Sequence, residues 1–153
     1  MNTQQRLKEL GIELPTPAVP AASYVPYLRA DEFLFIAGQV PLLDGEARYL
    51  GRLGESLSLE EGAAAARLCG INILAQVNAA LDGDLDRVVA CLRLGGFVNA
   101  TPAFTDHPKV INGASDLMIQ VLGDKGRHAR AAVGVASLPR GVAVEVDAIF
   151  RVR

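Results

Sequence analysis

The sequence predicts an α+β domain, one mixed β-sheet with two helices packed on one of its faces. Three observations carry that prediction. From Val142 onward the chain alternates with a period of two, with Val142, Val144, Val146, Ala148, Phe150 and Val152 on one side. Glu145, Asp147, Ile149 and Arg151 fall on the other, the pattern of a half-buried strand. Ser58-Leu59-Glu60-Glu61 matches a capping box at the head of an alanine-rich stretch with helical spacing. The order of segments is strands, helix, strand, helix, strands, and no repeat, low-complexity tract or linker divides residues 1–153 into more than one domain.

Taken in order, residues 3–10 form a short helix with Thr3 as N-cap and Gly11 beyond its end. Pro15, Pro17 and Pro20 make residues 14–22 an extended arm, so residues 1–21 are an N-terminal helix and a proline-rich arm. Residues 23–28 and 32–37 read as strands around a turn at Ala30-Asp31, the apolar run Phe33 to Ile36 as if covered on both faces. Pro41 and Asp44-Gly45 mark the next turn. A helix runs from about residue 59 to 81, stopped by Asp82-Gly83. Val88 to Asn99 is a strand, with Gly95-Gly96 marking a bulge or a close backbone approach. After a loop over residues 101–108, Pro108 sits in the first turn of a second helix. That helix turns Val110, Ile111, Ala114, Leu117, Met118 and Val121 inward and ends at Gly123. The strand from Ala129 and the strand from Val142 read as a β-hairpin around Pro139 to Gly141.

Half the residues are hydrophobic but only 5% are aromatic, with no Trp, so Ala, Val, Leu and Ile must build the core. A net charge of −2 and a pI near 5.7 argue against a nucleic-acid partner. Cys69 and Cys91 lie in apolar contexts without metal-ligand spacing, and two histidines argue against a His-rich metal site. Residues 1–14 lack an apolar run and no stretch reaches membrane-spanning length. A soluble, cytoplasmic protein with no membrane partner is expected. Two helices cover one sheet face only. The apolar remainder is expected to pack in a symmetric oligomer.

Charges on strands beside apolar residues need water, each other or a ligand. Arg130, Glu145 and Asp147 are such charges, and their bland reading is a surface or interface ion pair. Tyr24 reads otherwise as a half-buried aromatic, Gly38 as a turn or bulge residue, and Asn112 as either a helix cap or a cleft residue. His107 and His128 read as exposed loop residues. Arg127, Arg140, Arg151 and Arg153 read as solubilising.

The run from Ala129-Arg130-Ala131-Ala132-Val133 through Ser137-Leu138-Pro139-Arg140-Gly141 to Asp147-Ala148 closely resembles the C-terminal signature of the RidA/YjgF family, also called the endoribonuclease L-PSP family. Ser23-Tyr24-Val25, Ala37-Gly38-Gln39-Val40-Pro41, Gly96-Phe97-Val98-Asn99 and Ile111-Asn112-Gly113-Ala114 resemble further family segments in the right order. The N-terminal arm and the longer loop before Asn112 point to a longer subgroup of about 150 residues. The resemblance implies a chorismate-mutase-like α+β fold assembled as a homotrimer with clefts between subunits. It implies hydrolytic deamination of reactive 2-imino acids and their enamines to 2-oxo acids and ammonia, without a metal or other cofactor. Carried over, Arg130 grips the substrate carboxylate and Glu145 stands by the attacking water. Tyr24, Gly38 and Asn112 line the cleft. Ala132 stands where the family often has cysteine, keeping only a backbone carbonyl for the water, and Ala37 stands where it has serine. Those two departures motivate an alternative, a non-catalytic trimeric binder of small carboxylates. Ribonuclease action ranks third.

Overall fold

The computed structural model describes residues 1–17, 19–20 and 22–153. The arm expected over residues 14–22 therefore includes two positions outside the described residues. Among the described residues seven strands and three α-helices follow in chain order. They are α1 (Thr3–Glu9), β1 (Tyr27–Ala30), β2 (Phe33–Gln39), β3 (Leu42–Leu43), β4 (Glu46–Ala47), α2 (Leu59–Ala80), β5 (Val88–Asn99), α3 (His107–Leu122), β6 (Ala129–Val135) and β7 (Val144–Val152). Five of the strands form one mixed sheet in the order β1-β2-β7-β5-β6, and β3 and β4 form a separate small hairpin.

The helices start where their caps dictate. Ser58 Oγ accepts the Glu61 amide and Glu61 reaches back to the Ser58 amide, so α2 begins with both orphan donors satisfied. Asn2, not Thr3, caps α1, and Thr3 instead donates from its hydroxyl and amide to Asp86. Pro108 sits in the first turn of α3 and Gly123 closes it. Gly113 matters here, because a side chain would run into the backbone of Ala63. Its absence lets α3 lie against α2 at van der Waals contact. Both helices cover one sheet face, and Leu74, Val110, Ile111, Leu117, Val146 and Phe150 between the layers are fully buried.

The period-two reading of the last strand holds, since Val142 to Val152 on its even-numbered positions are buried. Its pairing does not hold. β6 and β7 are not a hairpin, because β5 lies between them, parallel to β6 and antiparallel to β7. Alternation fixes which face a residue takes, not which strand lies alongside. Only a two-residue turn would have forced the two strands together. Residues 136–143 are long enough to pass the end of β5.

The first strand, expected over residues 23–28, is shorter and later than expected, and the second runs two residues beyond its expected end. Residues 23–26 lie outside any strand, with bends at Ser23, Tyr24 and Pro26, and the turn falls at Asp31-Glu32. Leu34 and Ile36 are buried, but Phe33 and Phe35 are 40% and 42% exposed, so β2 is covered on one face only. Val133 of β6, 48% exposed, shares that open face. No helix of the described residues is long and apolar enough to cross a membrane.

Candidate active site

The residues expected to share a cleft fall into two groups on opposite faces of the sheet. Arg130 pairs with Leu94, which pairs in turn with Ala148, and both partners are buried under the helices. Arg130 therefore points to the helix side of edge strand β6. Glu145 pairs with Phe97, which pairs with Val133, on the open side. The bland reading of Arg130, an ion pair with Glu145 or Asp147, is thereby excluded within one chain. Asp147 instead lies 3.6 Å from Arg93.

At the β6 edge, Arg130 Nη1 donates to Asn112 Oδ1 at 2.8 Å and to Ser115 Oγ at 3.2 Å. Asn112 lies inside α3, six residues beyond its N-cap Asp106, so it is not a cap. A guanidinium has five N–H donors in a planar fork. Nη1 is fully used, while among the described residues Nε and Nη2 have no partner and no carboxylate lies within ion-pair distance of Arg130. Ala132, half-buried, follows two residues along the same face.

On the open face, Tyr24, Gly38 and Glu145 come together at one cavity of about 300 Å³, whose rim also carries Pro139 and Arg140. A Cβ at Gly38 would stand 2.9 Å from Glu145 Oε2, so glycine is what lets the carboxylate lie over β2. Asn72 of α2 donates to the carbonyls of Val40 and Leu42, and Asn99 donates to those of Gly51 and Val142. These bonds hold the segments on either side of the carboxylate. Burial, and secondarily the charge of Asp147, raises the Glu145 carboxyl above the usual carboxylate range. Such a group takes up a proton more readily at moderate pH than an exposed glutamate does.

Ser115, a partner of Arg130, and His128, a partner of Ser115, were not among the expected site residues. Neither histidine is the exposed loop residue expected. His107 opens α3 and packs edge-on to Phe104, and His128 is half-buried with both ring nitrogens bonded. The signal was present in the spacing. Ser115 stands one helical turn beyond Asn112, and His128 two residues before Arg130, just ahead of β6. Arg140 was also missed as a cavity residue, and it holds a left-handed backbone, φ 61°.

The buried thiols are not nucleophiles. Burial pushes Cys91 up to about 12 and Cys69 well above its ordinary value. A larger cavity, about 710 Å³, lies between residues 10–16, residues 42–44 and α2. Its cation Arg67 already donates to Gln120, so the smaller cavity at Glu145 is the chemically better-equipped one.

A mixed sheet with two helices on one face, an open apolar face opposite and an edge cation without a counter-ion defines a small α+β protein with divided polar sites. The chain belongs to the "YjgF/chorismate mutase-like, putative endoribonuclease" family, whose model matches residues 4–146. It is 51% identical to Protein TCP17 of Trypanosoma cruzi over 144 residues, 94% of this chain and 89% of that protein. The crystal structure of Atu1372 from Agrobacterium tumefaciens, a protein of unknown function, is 46% identical with a TM-score of 0.93, covering 99% of this chain and 92% of that one. A "putative endoribonuclease" from Shewanella oneidensis is 34% identical with a TM-score of 0.96, covering 99% and 100%.

Proposed function

We propose that this protein hydrolyses reactive 2-imino acids, and their enamine tautomers, to 2-oxo acids and ammonia. The reaction runs in clefts where the Arg130 half-site of one copy meets the Glu145 half-site of the next, within a homotrimer. The supporting observation is the division itself. Arg130 keeps Nε and Nη2 free but has no acid beside it, and Glu145 has its cavity but sits on the other face of the sheet. A second copy docked on the exposed Phe33, Phe35 and Val133 would bring the two together while removing that apolar surface from water.

The chemistry suits these groups. The Nε and Nη2 edge of Arg130 matches a carboxylate bidentately and fixes the plane of the adjoining C=N group. Water held over C2 gives a proton to Glu145 as its oxygen bonds to that carbon. The imine nitrogen takes that proton to give the carbinolamine. Its hydroxyl then passes its own proton through Glu145 to the nitrogen as the C–N bond breaks, leaving the C=O of the 2-oxo acid and ammonia. One water is consumed, and no metal or redox group is needed for the balance.

The test is to generate 2-iminobutyrate in situ and follow its decay. Acceleration by the wild type that is lost in Arg130→Ala supports the proposal, and no acceleration refutes it. Mixing Arg130→Ala with Glu145→Gln subunits should restore about a quarter of the wild-type rate, because about one cleft in four then holds both intact residues. Arg130-dependent binding of 2-oxobutyrate without turnover would favour the binder instead, consistent with the plain side chains of Ala37 and Ala132. RNA cleavage, the activity in the name of a relative, is checked on the same preparations.

A further inference from the structure

We propose that Ser115 and His128 form a positioning pair that locks the Arg130 guanidinium with its free edge turned out for an anionic ligand. The proposal rests on the reading of Arg130 as a carboxylate anchor, and adds to it the residues that set the anchor's orientation.

The hydrogen-bond directions follow from the atoms. His128 Nδ1 lies 2.7 Å from the carbonyl oxygen of Gly126, which can only accept. Nδ1 therefore carries the proton, and in the neutral ring Nε2 is left as an acceptor. Ser115 Oγ lies 2.8 Å from that Nε2, so its hydroxyl donates to the ring. The oxygen's lone pairs then face Arg130, whose Nη1 donates to it at 3.2 Å. Asn112 Oδ1 takes the other hydrogen of Nη1 at 2.8 Å. Two acceptors on one nitrogen leave the planar fork little freedom to rotate, and Nε and Nη2 remain unengaged.

The surroundings make this more than a surface contact. Ser115 is 8% exposed and His128 is half-buried, so neither partner is readily replaced by water. The carbonyl that orients the ring belongs to the tight turn after α3, where buried Gly126 lies against the α3 backbone at Met118 and admits no side chain. The turn thus fixes the ring, the ring aims the hydroxyl, and the hydroxyl holds the guanidinium. A guanidinium without this support would sample several rotamers on the strand edge and spend binding energy on being ordered.

The measurement is the affinity of the full-length protein for 2-oxobutyrate by calorimetry, alongside KM and kcat for 2-iminobutyrate. Ser115→Ala is expected to weaken binding and raise KM on the order of tenfold, with kcat within about twofold, as for loss of one buried hydrogen bond to a charged group. His128→Asn keeps a donor near Gly126 but cannot reach Ser115, and should lose as much. His128→Gln can still accept from Ser115 and should recover most of that loss. Ring nitrogen shifts should report the Nδ1–H tautomer in the wild type and a tautomer mixture in Ser115→Ala. Arg130-dependent binding that Ser115→Ala and His128→Asn leave unchanged, with the same thermal midpoint, overturns the positioning pair alone. Binding that Arg130→Ala leaves unchanged overturns the anchor, and the pair's proposed purpose with it.

Discussion

The two half-sites are built by opposite means. At the edge of β6 a guanidinium donates to two side chains of α3, one of them backed by His128 and the turn at Gly126, and its remaining donors have no partner among the described residues. On the open face an acid is raised above its ordinary value by removal from water and by a like charge, with a glycine making room for it. The cation half is made by adding partners, the acid half by withholding them. A binding group gains from being fixed and charged at every pH, whereas a proton-accepting group gains from being poised between its two states.

The contrast breaks most sharply at Arg130. Arg130→Ala should lower kcat/KM for 2-iminobutyrate by roughly 100-fold or more, the loss of a bidentate charge-assisted contact. Initial rates measure it. Glu145→Gln should lower kcat by about 100-fold while leaving the affinity for 2-oxobutyrate nearly intact, so the two halves separate into binding and turnover. The same variant should be more stable than the wild type at neutral pH. The folded chain binds the Glu145 proton more tightly than the unfolded chain, so stability rises as pH falls from above that raised value to below the ordinary one. A thermal midpoint that does not rise in Glu145→Gln would count against the desolvated carboxylate.

Gly38→Ala should cost kcat on the order of tenfold, since its Cβ would press on Glu145 Oε2 and a small displacement of a reacting group is expensive. KM should change little. The smallest effect is expected from Asp147→Asn. Removing that charge lowers the Glu145 pKa, so the acid limb of the pH–rate profile should move to lower pH with the plateau kept. A limb that stays in place would mean burial alone sets it.

Much of this architecture was legible in the chain. The capping box set the start of α2, the glycine after Leu122 set the end of α3, and the alternation from Val142 sorted buried from open residues on β7. The misreadings share one cause. Pairing of β6 with β7, double coverage of Phe33 to Ile36, and exposure of His107 and His128 all depended on what lies alongside. A one-dimensional pattern does not carry that information. Ser115 and His128 escaped notice because each is unremarkable alone, and their meaning appears only where α3 and β6 meet.

By itself the sequence determined the two long helices, the buried and open sides of the last strand and the family to which the chain belongs, because capping, turn chemistry and periodicity are written locally in the chain. Only the tertiary structure decided that β5 runs between the last two strands, so that Arg130 and Glu145 lie on opposite faces of one sheet. Strand neighbours are chosen by long-range hydrogen bonds and shared burial, and those depend on residues far apart in the chain.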